Sequence, residues 1–298
     1  MQTQTQSLAS PAIVLSRATT VPLQIPRPRM GERDHAETAR TKTTTGPLGG
    51  KTALVTGASR GIGRGIAERL AADGAAVVVH YAQNGAAADH VVDSIRGRGG
   101  DAFAIRTELG AGGDAEALYA AVDTALEQRD MEPGLDILVN NAAVSGSARI
   151  HEVTPELVDK IFSVNVKSLL FVIKEALTRM REGGRIINVS SAVTRVAYPE
   201  SIVYSMSKGA MDTLTLALAK ELGPRRITVN TVSPGFVATD MNAKLRSTPE
   251  GAARLAGVSV FERIGEPCDI AGIVAFLASP DSQWITGQRL DASGGSHL

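Results

Sequence analysis

The chain has 298 residues, 43% hydrophobic and 21% charged, with 31 basic side chains against 31 acidic ones. That balance excludes electrostatic capture of nucleic acid or acidic lipid, and the length suits one large α/β domain with a well-buried core. A lone cysteine, Cys268, excludes an internal disulfide, and no apolar run reaches the ~18–20 residues that span a bilayer.

A reducing cytoplasm without membrane attachment is the expected setting. The five histidines, His35, His80, His90, His151 and His297, show no pair at ligand spacing, so no metal centre is expected. Residues 1–46 are rich in Thr, Gln, Pro and Arg and lack sustained apolar periodicity, which predicts a disordered N-terminal extension ahead of a folded domain over 47–298. A non-functional extension, or an upstream start with Met30 as the alternative, is the favoured reading. A transit peptide is the other, because no acidic residue precedes Glu32.

From Lys51 onward, short runs rich in Val, Ile and Leu at 51–56, 75–81, 101–106, 135–140, 184–190, 226–233 and 288–292 read as seven strands. Helical patterns separate them. In 62–73, Ile62, Ile66 and Leu70 recur every four residues and make one apolar face able to cover a sheet. The alternation predicts right-handed crossovers and a single Rossmann-like, doubly wound α/β domain with a seven-stranded parallel sheet and helices on both faces. The stretch 270–278, "IAGIVAFLA", is apolar nearly all round, so its second side is expected against another subunit.

Ligands in such sheets bind beyond the carboxyl ends of the strands, where the first strand turns into the first helix. Gly57, Gly61 and Gly63 occupy that turn in "VTGASRGIG". Glycine lets backbone approach a pyrophosphate, and the N–H groups opening the helix at Ile62 supply donors. The spacing, Gly-x₃-Gly-x-Gly, differs from the common dinucleotide fingerprint Gly-x-Gly-x₂-Gly. It resembles instead the "TGxxxGxG" turn of the short-chain dehydrogenase/reductase family, matched by Thr56 to Gly63. Further family stretches follow in order: "NNAA" at 140–143, Asn165 in "SVNV", "INVSS" ending at Ser191, "YSMSK" at 204–208 and "SPGFVATDM" at 233–241. The resemblance runs from Gly50 to the C-terminus.

It implies NADP(H) as cofactor. In the family a basic residue just before the second glycine, here Arg60 after Ser59, accompanies NADP, its guanidinium pairing with the 2′-phosphate. Relatives that use NAD carry an acid after the second strand, whereas here Tyr81 is flanked by His80 and Ala82. Glu108, before Leu109, stands where the family places an adenine-contacting Asp, and Ala143 stands where it has Gly. Asn141 and Ala142, with Pro234, Gly235, Val237 and Thr239, complete the implied cofactor set, to which Tyr204 and Lys208 also belong.

Tyr204 and Lys208 lie four apart in a helical pattern over 201–222, so their Cβ atoms share one face at roughly 5–6 Å. An ammonium there is expected to lower the phenol pKa and so favour acid/base work. The resemblance makes Tyr204 the proton donor, Ser191 the hydrogen-bond donor to the substrate oxygen and Asn165 the holder of a water that relays protons through Lys208. Ser190 is the rival to Ser191, with a spacing to Tyr204 one residue too long. Substrate contacts are expected from Ser191, Val193, Tyr198, Tyr204 and Met241 in an apolar pocket bounded by Val144 to Ile150, the 192–203 loop and the segment 236–264, which the resemblance makes a mobile lid.

These features point to an NADPH-dependent carbonyl reductase similar to 3-oxoacyl-carrier-protein reductases and to polyhydroxynaphthalene or polyketide ketoreductases. The substrate would be a small-molecule or acyl-thioester ketone. The same residues would serve an NADP-dependent alcohol or sugar dehydrogenase working in reverse. A non-catalytic NADP(H)-binding regulator is the reading from another class, opposed by the intact Ser191, Tyr204 and Lys208. The resemblance also implies a homotetramer or homodimer.

Overall fold

A computed structural model describes residues 46–298; the extension expected over 1–46 lies, except for Gly46, outside the described residues. Seven strands form one parallel sheet: β1 Thr52–Val55, β2 Ala76–Tyr81, β3 Asp101–Arg106, β4 Leu135–Asn140, β5 Met180–Val189, β6 Thr228–Pro234 and β7 Arg289–Ala292. Their order across the sheet is β3-β2-β1-β4-β5-β6-β7, a Rossmann-like arrangement. The order reverses between β1 and β4, so the segments leaving those two strands share the crevice at their carboxyl ends.

Among the described residues eight α-helices join the strands: α1 Gly61–Ala72, α2 Gly85–Gly97, α3 Asp114–Glu127, α4 Pro155–Phe162, α5 Leu169–Ala176, α6 Ile202–Leu222, α7 Pro249–Ala256 and α8 Pro267–Ala278. The period-two alternation of the strands divides the core between two faces. Ala53, Val55, Val77 and Val79 pack with Ile66 and Leu70 of α1, Val91 and Ile95 of α2 and Val274 of α8. Leu54, Val78, Leu138 and Ile186 point the other way, onto Leu118 of α3, Val172 of α5 and Met211 of α6. Among the described residues no helix is long and apolar enough to cross a membrane.

Two expectations need correction. β5 begins four residues before 184, because Met180 pairs with Leu135 ahead of a register shift and Gly183, at φ +72°, accommodates the irregular backbone. The second side of α8 is largely taken up within the chain. Ile270, Ala271, Val274, Ala275, Leu277 and Ala278 are buried and Ile273 packs against the same core, with α1 lying alongside. Phe276 alone among its large side chains is left exposed.

Between α4 and α5 the helix runs through a π-helical stretch, Ser163–Ser168, that contains Asn165. Such stretches insert a residue into the helical ladder and re-aim side chains, often at functional sites.

Candidate active site

The first half of the site is the turn between β1 and α1. Gly57 and Gly61 adopt positive φ, +64° and +56°, which glycine reaches without strain. Gly63 is held by contact instead: a Cβ there would lie 2.3 Å from the Gly57 carbonyl oxygen. The start of α1 has no side-chain cap and no acidic residue in its first turn, so the positive end of its dipole is left without a side-chain partner. This cradle fits a pyrophosphate.

Neighbouring side chains brace the turn. The Thr56 hydroxyl accepts N–H bonds from Asn141 and Ala142, each at 3.0 Å, which joins the exits of β1 and β4. Asn141 Nδ2 donates to the carbonyls of Thr56 at 2.9 Å and Gly57 at 3.0 Å. Both amide protons of Asn141 are thereby committed, and its action on a ligand passes through the turn it supports. Thr239 packs over the turn from the other side, its methyl 3.1 Å from where a Gly61 Cβ would stand. Pro234 and Val237 are buried, and Gly235 fits tightly against Ser293.

On the adenosine side, the Tyr81 ring lies beside Gly85 at the start of α2, and its carbonyl accepts the Thr107 N–H at 3.0 Å. Arg106 Nε donates to the Ala82 carbonyl at 3.1 Å, a cation at this edge that the family motifs do not flag. Glu108 is exposed, while Leu109 packs on the core. Arg60 is exposed and turns towards Asp240, 3.5 Å away. With both side chains about 70% exposed, that pair contributes little and is easily exchanged for another anion.

The second half of the site is carried by β5 and α6. The buried stripe of α6 runs Val203, Ser207, Lys208, Met211, Thr215, Leu218 and Leu222, and it draws Lys208 into the interior with 1% of its surface exposed. Lys208 Nζ donates to the Val189 carbonyl at 2.7 Å and stands 5.7 Å from the centroid of the Tyr204 ring. Ser191 follows β5, its Oγ accepting the Val193 N–H at 3.3 Å and lying near enough to the Tyr204 hydroxyl to favour its ionised form. The rival Ser190 is buried, its hydroxyl directed at the Lys208 carbonyl 3.5 Å away.

Titration in this pocket departs from the sequence expectation. Burial pushes the Tyr204 phenol up to about 12, outweighing the nearby Ser191 hydroxyl, which lowers it. Burial also pushes Lys208 down to about 8, against the attraction of Asp212 one turn further along α6. Desolvation, not the ammonium, governs the phenol, so Tyr204 is held protonated.

The side chain of Asn165 is turned inward. Its Oδ1 accepts the Val144 N–H at 2.9 Å, and its Nδ2 donates to the Val144 carbonyl at 2.8 Å and to Ser207 Oγ at 3.1 Å. Both side-chain protons are spent inside the protein, so the amide positions Val144 and the residue beside Lys208. Below the site, Asn140 donates to Asn188, Asn188 to Thr215, and Thr215 meets Thr231, all buried. This polar chain holds α6 to β4, β5 and β6, and sequence reasoning missed it.

Tyr198 meets Phe236 edge-on, ring centroids 5.9 Å apart, and its hydroxyl lies 3.2 Å from His297 Nε2 near the C-terminus. Val193 is half-buried and Met241 is exposed. A separate concavity of about 520 Å³ lined by Arg96, Gly99, Gly100, Asp101 and Arg129 lies at the amino end of β3, the opposite edge of the sheet.

A glycine turn at the switch point, with a Ser-Tyr-Lys group at the same end of the sheet, marks an oxidoreductase of the short-chain class. Residues 57–297 match the family described as enoyl-(acyl carrier protein) reductase, and the chain belongs to this short-chain dehydrogenase/reductase family. An uncharacterized oxidoreductase of Methylorubrum extorquens is 47% identical over 83% of this chain and 98% of its own. Versicolorin reductase of Emericella nidulans is 41% identical over 84% of this chain and 96% of its own. Among solved structures, the angucycline C-6 ketoreductase LanV with bound NADP superposes with a TM-score of 0.81 at 50% identity, covering 84% of this chain and 96% of that one. LanV has also been solved with NADP and rabelomycin; that structure superposes with a TM-score of 0.78 at 49% identity, covering 84% of this chain and 97% of that one.

Proposed function

We propose that the protein is an NADPH-dependent ketoreductase acting on a polyketide-type aromatic ketone, with a 3-oxoacyl thioester as the alternative substrate. One observation carries the reading: Ser191, Tyr204 and Lys208 group at the carboxyl end of β5, two strands from the end of β1, where a Cβ at Gly63 would meet the Gly57 carbonyl. The ketoreductase and reductase names of its relatives support the substrate class.

Gly57, Ser59, Gly61, Ile62 and Gly63 would hold the phosphates. Arg60, Tyr81 and Ala82 would face the adenosine 2′-phosphate, and Glu108 and Leu109 the adenine. Ala142, Pro234, Gly235, Val237 and Thr239 would flank the nicotinamide half, with Lys208 at its ribose. When bound, the cofactor supplies the hydride that reaches the carbonyl carbon. Ser191 donates a hydrogen bond to the carbonyl oxygen and steadies the charge that develops there. Tyr204 then gives its hydroxyl proton to that oxygen, and the nearby Lys208 ammonium stabilises the phenolate left behind. Val193, Tyr198 and Met241 would line the substrate side.

A tyrosine held protonated suits the reductive direction; alcohol or sugar oxidation would begin from the phenolate that burial disfavours. The intact cluster likewise speaks against a non-catalytic NADP(H)-binding regulator. Cytoplasmic location belongs to the same proposal, as does assembly as a homotetramer or homodimer. In support of assembly, Trp284, just before β7, is 95% exposed and Phe276 of α8 is 40% exposed, an apolar edge that a second copy would cover.

The test is NADPH oxidation measured against aromatic polyketide ketones, β-ketoacyl thioesters and sugars. Turnover of the aromatic ketones above the others is expected. Turnover of sugars alone, or none with any carbonyl compound, would overturn the reading.

A further inference from the structure

His80, in β2, is only 1% exposed, and both ring nitrogens and its carbonyl have hydrogen-bond partners. Its Nδ1 lies 3.1 Å from the Gly57 nitrogen, and its own carbonyl accepts the Ala58 N–H at 2.8 Å. Its Nε2 lies 2.9 Å from the Thr107 carbonyl oxygen. The backbone N–H of Gly57 can only donate and the Thr107 carbonyl can only accept. One tautomer satisfies both: neutral imidazole with its proton on Nε2.

The ring therefore spans the exits of β1, β2 and β3. At one end it holds the peptide of Gly57, whose positive φ opens the phosphate turn. At the other it holds Thr107, next to Glu108 and one residue beyond Arg106, whose guanidinium is tied to Ala82. These are the two ends between which the adenosine half of a dinucleotide would lie. A hydrophobic residue of similar volume would fill the space but leave the Gly57 N–H and the Thr107 carbonyl without these bonds.

We infer that His80 is a positioning residue for the dinucleotide: its imidazole sets the separation between the phosphate turn and the adenosine-side end of β3. The inference rests on the NADP(H) reading above. Asparagine at this position would place a carbonyl oxygen near the Nδ1 site and keep the Gly57 bond alone. Glutamine would place an amide N–H near the Nε2 site and keep the Thr107 bond alone.

The experiment titrates NADPH by calorimetry into the full-length wild type and the His80→Leu, His80→Asn and His80→Gln variants, with melting temperatures and steady-state kinetics alongside. His80→Leu is expected to weaken NADPH binding and raise its KM about tenfold or more, as the loss of two buried hydrogen bonds implies, with kcat at saturating NADPH little changed. The asparagine and glutamine variants should each fall between leucine and wild type. If the leucine variant does not fold, the two amide variants alone should still show weakened NADPH binding at unchanged kcat. Wild-type NADPH affinity in the leucine variant, or in both amide variants, would overturn the inference and reduce His80 to core packing. So would amide variants no better than a folded leucine variant. A wild-type chain that binds no NADPH would overturn the cofactor reading and this inference with it.

Discussion

Lys208 Nζ stands 5.7 Å from the centre of the Tyr204 ring and is fixed there by its bond to the Val189 carbonyl. Both groups are desolvated, and their titrations move apart, the phenol up to about 12 and the amine down to about 8. Reduction needs the phenol protonated and the amine charged. Reductive kcat/KM is therefore expected to hold level below about pH 8 and to fall as Lys208 loses its proton above it. A profile flat to pH 10 would show that the Lys208 charge does not matter to the step.

The same burial has a stability consequence with a defined sign. Lys208 titrates lower in the folded chain than the ordinary lysine value of 10.5, so between about 8 and 10.5 the unfolded chain binds more protons and stability rises with pH. Tyr204 acts oppositely, but only above about 10, where the unfolded phenol begins to ionise while the folded one keeps its proton. Lys208→Met removes the first contribution. Denaturant unfolding should show the variant's stability relative to wild type declining from pH 8 to pH 10, by ~2–3 kcal/mol at most. A relative stability independent of pH over that range would contradict a desolvated ammonium.

Arg60 tests the choice between NADPH and NADH. Arg60→Ala should weaken NADPH binding by ~1.5–3 kcal/mol, an effect that shrinks with salt, and leave NADH binding nearly unchanged. Asp240→Asn should strengthen NADPH binding slightly, because the exposed carboxylate 3.5 Å away competes for the guanidinium. Equal losses for both cofactors in Arg60→Ala would assign the arginine to the pyrophosphate or to the turn itself.

Gly63→Ala probes the cradle by shape alone. Its Cβ would lie 2.3 Å from the Gly57 carbonyl oxygen and 2.4 Å from Asn141 Nδ2, neither able to yield without breaking the turn. Binding of both nicotinamide cofactors should be lost together with some thermal stability. Wild-type affinity in this variant would mean that the turn is not where the phosphates sit.

Much of this was legible in the chain, and what was not shares a physical cause. The strands and the helix carrying Tyr204 and Lys208 follow from local apolar periodicity, which also placed Lys208 four residues from the phenol. Periodicity could not show that Lys208 falls on the buried stripe of α6, and so it misjudged which effect governs the phenol. The roles of Asn165 and Asn141 depend on partners more than twenty residues away, Val144, Ser207, Thr56 and Gly57, and these became visible only once the strands were assembled. His80 looked like one of five scattered histidines because its two partners, Gly57 and Thr107, come from neighbouring strands. The π-helical stretch around Asn165 has no periodic signature distinct from the α-helices on either side.

The most direct measurement is single-turnover NADPH oxidation by Tyr204→Phe, paired with NADPH binding by titration. The ring would still pack beside Lys208, but the hydroxyl that reaches Ser191 would be gone. NADPH affinity within about twofold of wild type, with a rate lowered by ~10²-fold or more, is the expected result for loss of the proton donor. A rate near that of wild type would contradict the assignment of Tyr204 as the acid, and with it the account of this site.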